Sequence, residues 1–163
     1  MKLNLNPKEL IALVFFILIS QMAGIIGSIF TFTSINSWYA LLNKPFFSPP
    51  NWVFAPVWII LYLFMGIAAF LIWRKGFELK KVKTALSLFT IQLILNSLWS
   101  IIFFGLKNPF LAFLEIIVLW IAIALMIKSF YSIEKKASYL QAPYILWVSF
   151  AALLNFSIWF LNS

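Results

Sequence analysis

Apolar residues fall in five long blocks, separated by short polar or charged connectors. The blocks cover residues 10–32, 52–73, 84–105, 109–131 and 140–161. Each is long enough, as a helix, to cross the roughly 30 Å hydrocarbon layer of a bilayer. Helix is required because a lipid-exposed backbone must satisfy its hydrogen bonds within its own segment. The alternation that a transmembrane barrel would need is missing. The pattern therefore predicts an all-α membrane protein, a five-transmembrane-helix bundle forming one domain over residues 1–163. The first block is too long for a typical signal-peptide core, and no small-residue cleavage site follows it.

The connectors divide by charge. Lys2 and Lys8 precede the first block; Arg74, Lys75, Lys80, Lys81 and Lys83 follow the second; Lys128, Lys135 and Lys136 follow the fourth. With five spans these ten basic residues share one side, and only Lys44 and Lys107 lie on the other. The positive-inside rule then puts the N-terminus in the cytoplasm and the C-terminus outside. An even number of spans would break that division. No mitochondrial targeting pattern is visible, so the expected location is the cytoplasmic membrane of a prokaryote.

The connectors also differ in length. Lys107-Asn108-Pro109 is a tight turn that makes the third and fourth spans antiparallel neighbours. Residues 33–51 form a long outer loop with Pro45, Pro49 and Pro50 among Trp38, Tyr39, Phe46 and Phe47. Prolines stiffen it and aromatics give it an apolar underside. It reads equally as a semi-rigid lid over the bundle mouth or as an interfacial aromatic belt.

Composition narrows the chemistry. Of 163 residues, 64% are hydrophobic and 10% charged, against about 25% charged in a soluble domain. There is no Cys and no His, so disulfides, thiolate or imidazole metal ligation and His-dependent triads are excluded. All four acidic residues are Glu, and only Glu115 lies inside a block. No catalytic residue, metal ligand or required cofactor is expected. The net charge of +8 reflects topology, not nucleic-acid binding, because the basic residues sit between spans and line no groove.

Polar and aromatic residues inside the spans are the candidates for function, since each polar group is costly in lipid. Gln92, Asn96, Trp99 and Phe103 share one face of the third span, within a sector of about 60°. Tyr144, Trp147, Ala151 and Asn155 do the same in the fifth, and Trp58 and Tyr62 lie four apart in the second. These faces can converge in a pocket beneath the outer loop that suits a flat, mostly apolar ligand with polar edges. Helix-to-helix packing is the plainer alternative. Glu115 is a functional candidate by position, but a protonated carboxyl hydrogen-bonded to a neighbouring helix is the favoured reading. Ser20, Gly24 and Ser28, with Gly27 beside them, allow close approach of another span or of a second protomer.

The sequence Trp38-Tyr39, Lys44-Pro45, Ser48-Pro49-Pro50, Trp52, Phe54, Pro56-Val57-Trp58, Leu61-Tyr62 resembles the signature of the TspO/MBR family, the tryptophan-rich sensory proteins and the mitochondrial translocator protein or peripheral benzodiazepine receptor. Gln92-Leu93, Leu95-Asn96, Trp99, Phe103-Phe104-Gly105-Leu106, Pro109, Leu111-Ala112, Glu115-Ile116, Leu119-Trp120, Pro143-Tyr144 and Leu146-Trp147 extend the likeness from about Trp38 to Asn155. The resemblance implies a five-helix bundle, commonly a homodimer. Its ligands would be porphyrins, haem-like tetrapyrroles and synthetic isoquinolines or benzodiazepines. By motif position the implied ligand residues are Tyr39, Pro49, Trp58, Tyr62, Asn96, Trp99, Phe103, Tyr144, Trp147 and Ala151. The C-terminal Leu154-Asn155-Phe156-Ser157-Ile158-Trp159 lacks the Tyr and basic residue of the family's sterol element, which puts sterol recognition in doubt.

The expectation is thus a tetrapyrrole-binding membrane protein acting as sensor or transporter. A light- and oxygen-dependent porphyrin-degrading enzyme is the alternative, leaning on the ligand's own photochemistry. A structural or regulatory membrane component without a small ligand is the third.

Overall fold

A computed structural model describes residues 5–163. Lys2, part of the basic count, lies outside the described residues. The first span, α1, runs Pro7–Ser34. It starts before the apolar block because Asn6 and Glu9 form a reciprocal cap: the Glu9 amide donates to Asn6 Oδ1 at 2.9 Å and the Asn6 amide to Glu9 Oε2 at 3.1 Å. Pro7 occupies the first turn, where its missing N–H costs nothing. The outer loop contains a short helix, α2, Trp38–Leu41. A 3₁₀ turn, Asn51–Val53, then leads into α3, Phe54–Trp73.

Helix α4, Lys80–Ser100, begins four residues ahead of its apolar block, so its first turn carries lysines. It passes into a π-helical turn, Ile101–Gly105, in which the Leu106 amide donates to the Ile101 carbonyl at 2.9 Å. Helix α5, Pro109–Tyr131, follows the tight turn, with Asn108 Oδ1 accepting from the Leu111 amide at 3.0 Å. A short helix, α6, Lys135–Tyr139, precedes α7, Ala142–Leu161. Helices α1, α3, α4, α5 and α7 are each long and apolar enough to cross a membrane, counted among the described residues. The protein is an integral membrane protein with five spans.

Side by side, α3 packs on α1, α1 on α4, α4 on α5 and α5 on α7. At the end carrying the basic residues the bundle is solid. Met65, Ala68, Ala69, Ile72, Val82, Ala85, Ile123, Met126 and Phe130 are all fully buried there. Two ion pairs tie its connectors together: Arg74 Nε lies 2.8 Å from Glu9 Oε1, and Lys75 Nζ meets Glu134 Oε2.

The small-residue face of α1 packs inside the protomer. A Cβ at Gly24 would clash with the Tyr62 ring, and one at Gly27 would lie 2.9 Å from Ser100 Oγ. Ser20 is buried and donates to the Phe16 carbonyl of its own helix at 2.8 Å. Of the two readings left open for this face, another span is the one observed. A homodimer interface through Ser20 and Gly24 would require α1 to unpack from α3 and α4.

Candidate ligand-binding site

The bundle opens toward the looped end. A cavity of about 430 Å³ lies there, enclosed by α1, α3, α4, α5 and α7. Successive turns of α3 present Phe54, Trp58 and Tyr62 to it. Helix α4 and its π turn present Asn96, Trp99 and Phe103, and α7 presents Trp147 and Ala151. The π turn matters for this wall. One extra residue in the turn lets Ile102, Phe103 and Phe104 all be buried in succession, where a regular helix would turn one of them outward. The Phe104 carbonyl, past the last regular turn, accepts from Ser34 Oγ of α1 at 2.8 Å. Trp99 and Phe103 stack with centroids 5.1 Å apart and planes at 22°.

Beneath the cavity a chain of hydrogen bonds joins three helices. The Tyr62 hydroxyl donates to Asn96 Oδ1. Asn96 Nδ2 donates to the Tyr144 hydroxyl at 3.0 Å, and that hydroxyl donates to Gln92 Oε1 at 2.8 Å. This chain fixes the floor and presents the aromatic side chains above it. Trp58 stacks on Tyr62 with centroids 5.4 Å apart and meets Tyr144 edge-on at 6.2 Å. On the far wall Trp99 Nε1 donates to Asn155 Oδ1 at 3.0 Å, and Asn155 Nδ2 donates to the Pro109 carbonyl at 2.8 Å. Trp147 Nε1 is buried with no acceptor among the described residues.

The outer loop covers one side of the mouth. Tyr39 is buried against Phe103 and Phe104, with centroids 6.1 and 5.6 Å away. Burial pushes its phenol up from the usual value, so it remains neutral. Lys44 Nζ sits 4.6 Å above the same ring. The Asn43 amide donates to Asn162 Oδ1 at 2.9 Å, and Asn162 Nδ2 donates back to the Asn43 carbonyl at 2.9 Å. This pair fastens the loop to the end of α7.

Tyr39, Trp58, Tyr62, Asn96, Trp99, Phe103, Trp147 and Ala151 all line the cavity. Pro49 does not; it lies in the loop away from the lining. Tyr144 does not either; it is fully buried under the floor, where it positions Asn96 and Trp58. Asn96, one of the expected ligand residues, spends one donor and one acceptor position on the floor network. The α1 wall was missed: Gly24, Ser28 and Thr31 line the cavity. Their small size was a signal for close approach, but not for whether a helix or a void stood opposite. Glu115 is buried on α5 outside the lining, and neither carboxyl oxygen has a hydrogen-bond partner among the described residues. The hydrogen bond expected to a neighbouring helix is not made. No cluster of three or more His, Cys, Asp or Glu that could hold a metal occurs among the described residues.

A model of the TspO/MBR family matches residues 16–160. The chain belongs to the TspO/MBR family. It is 46% identical over 156 residues to the tryptophan-rich protein TspO of Archaeoglobus fulgidus, covering 95% of this chain and 99% of that one. It is 36% identical over 146 residues to the translocator protein of Homo sapiens, covering 88% and 86% respectively. The tryptophan-rich sensory protein of Cereibacter sphaeroides is 35% identical over 127 residues, 78% of each chain. All five membrane-spanning helices lie largely or wholly within the region matched by the family model.

Proposed function

We propose that this protein binds a tetrapyrrole of the porphyrin or haem class in the aromatic cavity and serves as a sensor or carrier of it. One observation carries the reading: a mostly apolar cavity, walled by Trp58, Trp99, Phe103 and Trp147, in a family whose members are named sensory proteins and translocators. Flat π-systems stack against such walls, and the volume falls in the range of about 300–1,000 Å³ usual for small-molecule sites. Among the described residues no carboxyl or amine side chain lines the cavity, so binding has more support than acid–base turnover. The basic connectors support a cytoplasmic N-terminus and, with it, a cavity in the outer half of the bilayer.

The test is titration of the purified protein with protoporphyrin in the dark. Saturable quenching of tryptophan fluorescence is expected. Bleaching of the porphyrin that needs both light and protein would point to the degrading enzyme instead. A flat titration would leave the component without a small ligand.

A further inference from the structure

The walls of the cavity are unequal. The lining side chains on α4, α5 and α7 include Asn96, Phe103, Leu119, Val148 and Ile158, all buried behind neighbouring helices. On α1 and α3 the lining includes Ile25, Phe32 and Ile59, which are 54%, 78% and 58% exposed. A residue that both lines the cavity and faces outward marks a place where the two are continuous. The continuity is confined to one half of the α1–α3 seam. Toward the basic end the seam is shut: a Cβ at Gly66 of α3 would lie 2.6 Å from the Ile17 Cα of α1, so the backbones themselves touch. Midway, Gln21 Nε2 of α1 donates to the Ile59 carbonyl of α3 at 3.1 Å. Beyond that bond Ile25, Ser28 and Phe32 face Ala55 and Asn51 across the open part of the cavity.

The loop roofs the α4 and α7 side of the cavity, away from the slot. Tyr39 is only 4% exposed, and the Asn43–Asn162 pair holds the loop on α7, on the other side of α3 from α1. The open slot lies along spans, so it faces acyl chains and not water.

We propose that the slot between the outer halves of α1 and α3 is a portal from the bilayer, and that the cavity is filled by apolar or amphiphilic molecules dissolved in that leaflet. The looped end is a fixed roof and not the entrance. The Gln21–Ile59 bond is the sill of the portal, and the exposed Ile25, Ala55 and Ile59 are its jambs. Ser28 Oγ donates to the Ile25 carbonyl at 2.7 Å, so its hydroxyl proton is already used within α1. This inference rests on the geometry of the cavity and does not require the ligand to be a tetrapyrrole.

The chain has no cysteine, so Ala151→Cys places a single thiol inside the cavity. In nanodiscs it is offered N-phenylmaleimide, which partitions into lipid, or a trimethylammonium thiosulfonate, which does not. Each rate is divided by that reagent's rate on the detergent-unfolded variant. The maleimide is expected to react at least about tenfold faster on this scale, because a fixed charge does not enter the hydrocarbon layer. Ile25→Trp or Ala55→Trp, one on each side of the slot, should slow the maleimide by about fivefold or more by making entry wait on a side-chain displacement. Asn162→Ala, which loosens the roof, should leave both rates unchanged. Comparable rates for the two reagents, acceleration by Asn162→Ala, indifference to both portal variants, or no labelling of folded protein would each overturn the proposal. Protoporphyrin titration of the parent is read separately, so failure of the tetrapyrrole reading leaves this result standing.

Discussion

At the basic end Gly66 brings α3 backbone to backbone with α1, and Ala68, Ala69 and Ala85 continue the close approach. At the looped end the same helices carry Trp58, Tyr62, Trp99, Phe103 and Trp147, and a cavity of about 430 Å³ stands between them. Without a hydrophobic drive between helices in lipid, close contact needs small residues. Rings cannot interdigitate as tightly, and hydrogen bonds and edge contacts hold them apart in fixed positions. One half of the bundle is therefore a clamp and the other a cage.

The same substitution in each half breaks this contrast most sharply. Gly66→Ala puts a methyl 2.6 Å from Ile17 Cα and 2.8 Å from the Phe16 carbonyl, both backbone atoms that cannot yield locally. A loss of about 3 kcal/mol or more is expected, read as a fall in thermal midpoint in detergent. Gly24→Ala instead meets a side chain, and the clash is relieved by displacing the Tyr62 ring from its bond to Asn96 and its stack on Trp58. Its effect should appear chiefly in porphyrin affinity. Equal stability losses from the two would erase the distinction between clamp and cage.

Tyr144→Phe cuts the floor without touching the cavity lining. It leaves Gln92 Oε1 and one Asn96 donor unpaired in a buried site. The expected cost is about 1–3 kcal/mol in the same melting assay. No change in midpoint would show that the floor network contributes nothing to holding the helices.

Cavity walls should respond in affinity and not stability. Trp58→Phe and Trp147→Phe should each weaken protoporphyrin binding by roughly three- to tenfold, the value of an aromatic contact beyond its buried area. Trp159→Phe is the control, because Trp159 packs on Phe110 and Phe113 away from the cavity. Ala151→Leu should reduce binding by filling the space beside Trp147. Parent-like affinity in all four would mean that the rings are packing alone.

The smallest effect belongs to the water-facing rim. Lys75, with a backbone hydrogen bond from Lys136, holds the Glu134 carboxyl below the usual carboxylate range. A depressed folded pKa gives stability that is present above the unfolded value of about 4.3 and is lost as pH falls through the folded one. Glu134→Gln should therefore lower the midpoint slightly at neutral pH, within about 1 kcal/mol, and not at all well below pH 4. A larger neutral-pH loss would mean that this tie does more than a surface ion pair does.

How far the sequence was legible follows from the range of the forces involved. Residues 109–131 were expected as a span and form α5, Pro109–Tyr131, because hydropathy is a property of each residue and Asn108-Pro109 caps the helix locally. Helices α1 and α4 begin at Pro7 and Lys80, ahead of the apolar blocks, because caps and charged first turns extend a helix past its apolar stretch. Helical spacing placed Trp58 with Tyr62, and Asn96 with Trp99, on common faces, and all four reach the cavity.

Other features depended on what stands opposite a residue. Gly24 and Ser20 carry the same small-residue signal whether they meet α3 or a second protomer, and only the packing of α1 on Tyr62 decides. Spacing put Tyr144 on the ligand face, but its hydroxyl is taken by Asn96 and Gln92 from another helix. The π turn that turns both Phe103 and Phe104 inward is a local choice made to suit Ser34 and Tyr39. Five membrane-crossing helices and a basic end of the bundle follow from solvation energy and charge, which act residue by residue. The tertiary structure alone decided which faces close on each other and which leave a cavity open to lipid, because steric fit exists only between partners that the chain brings together.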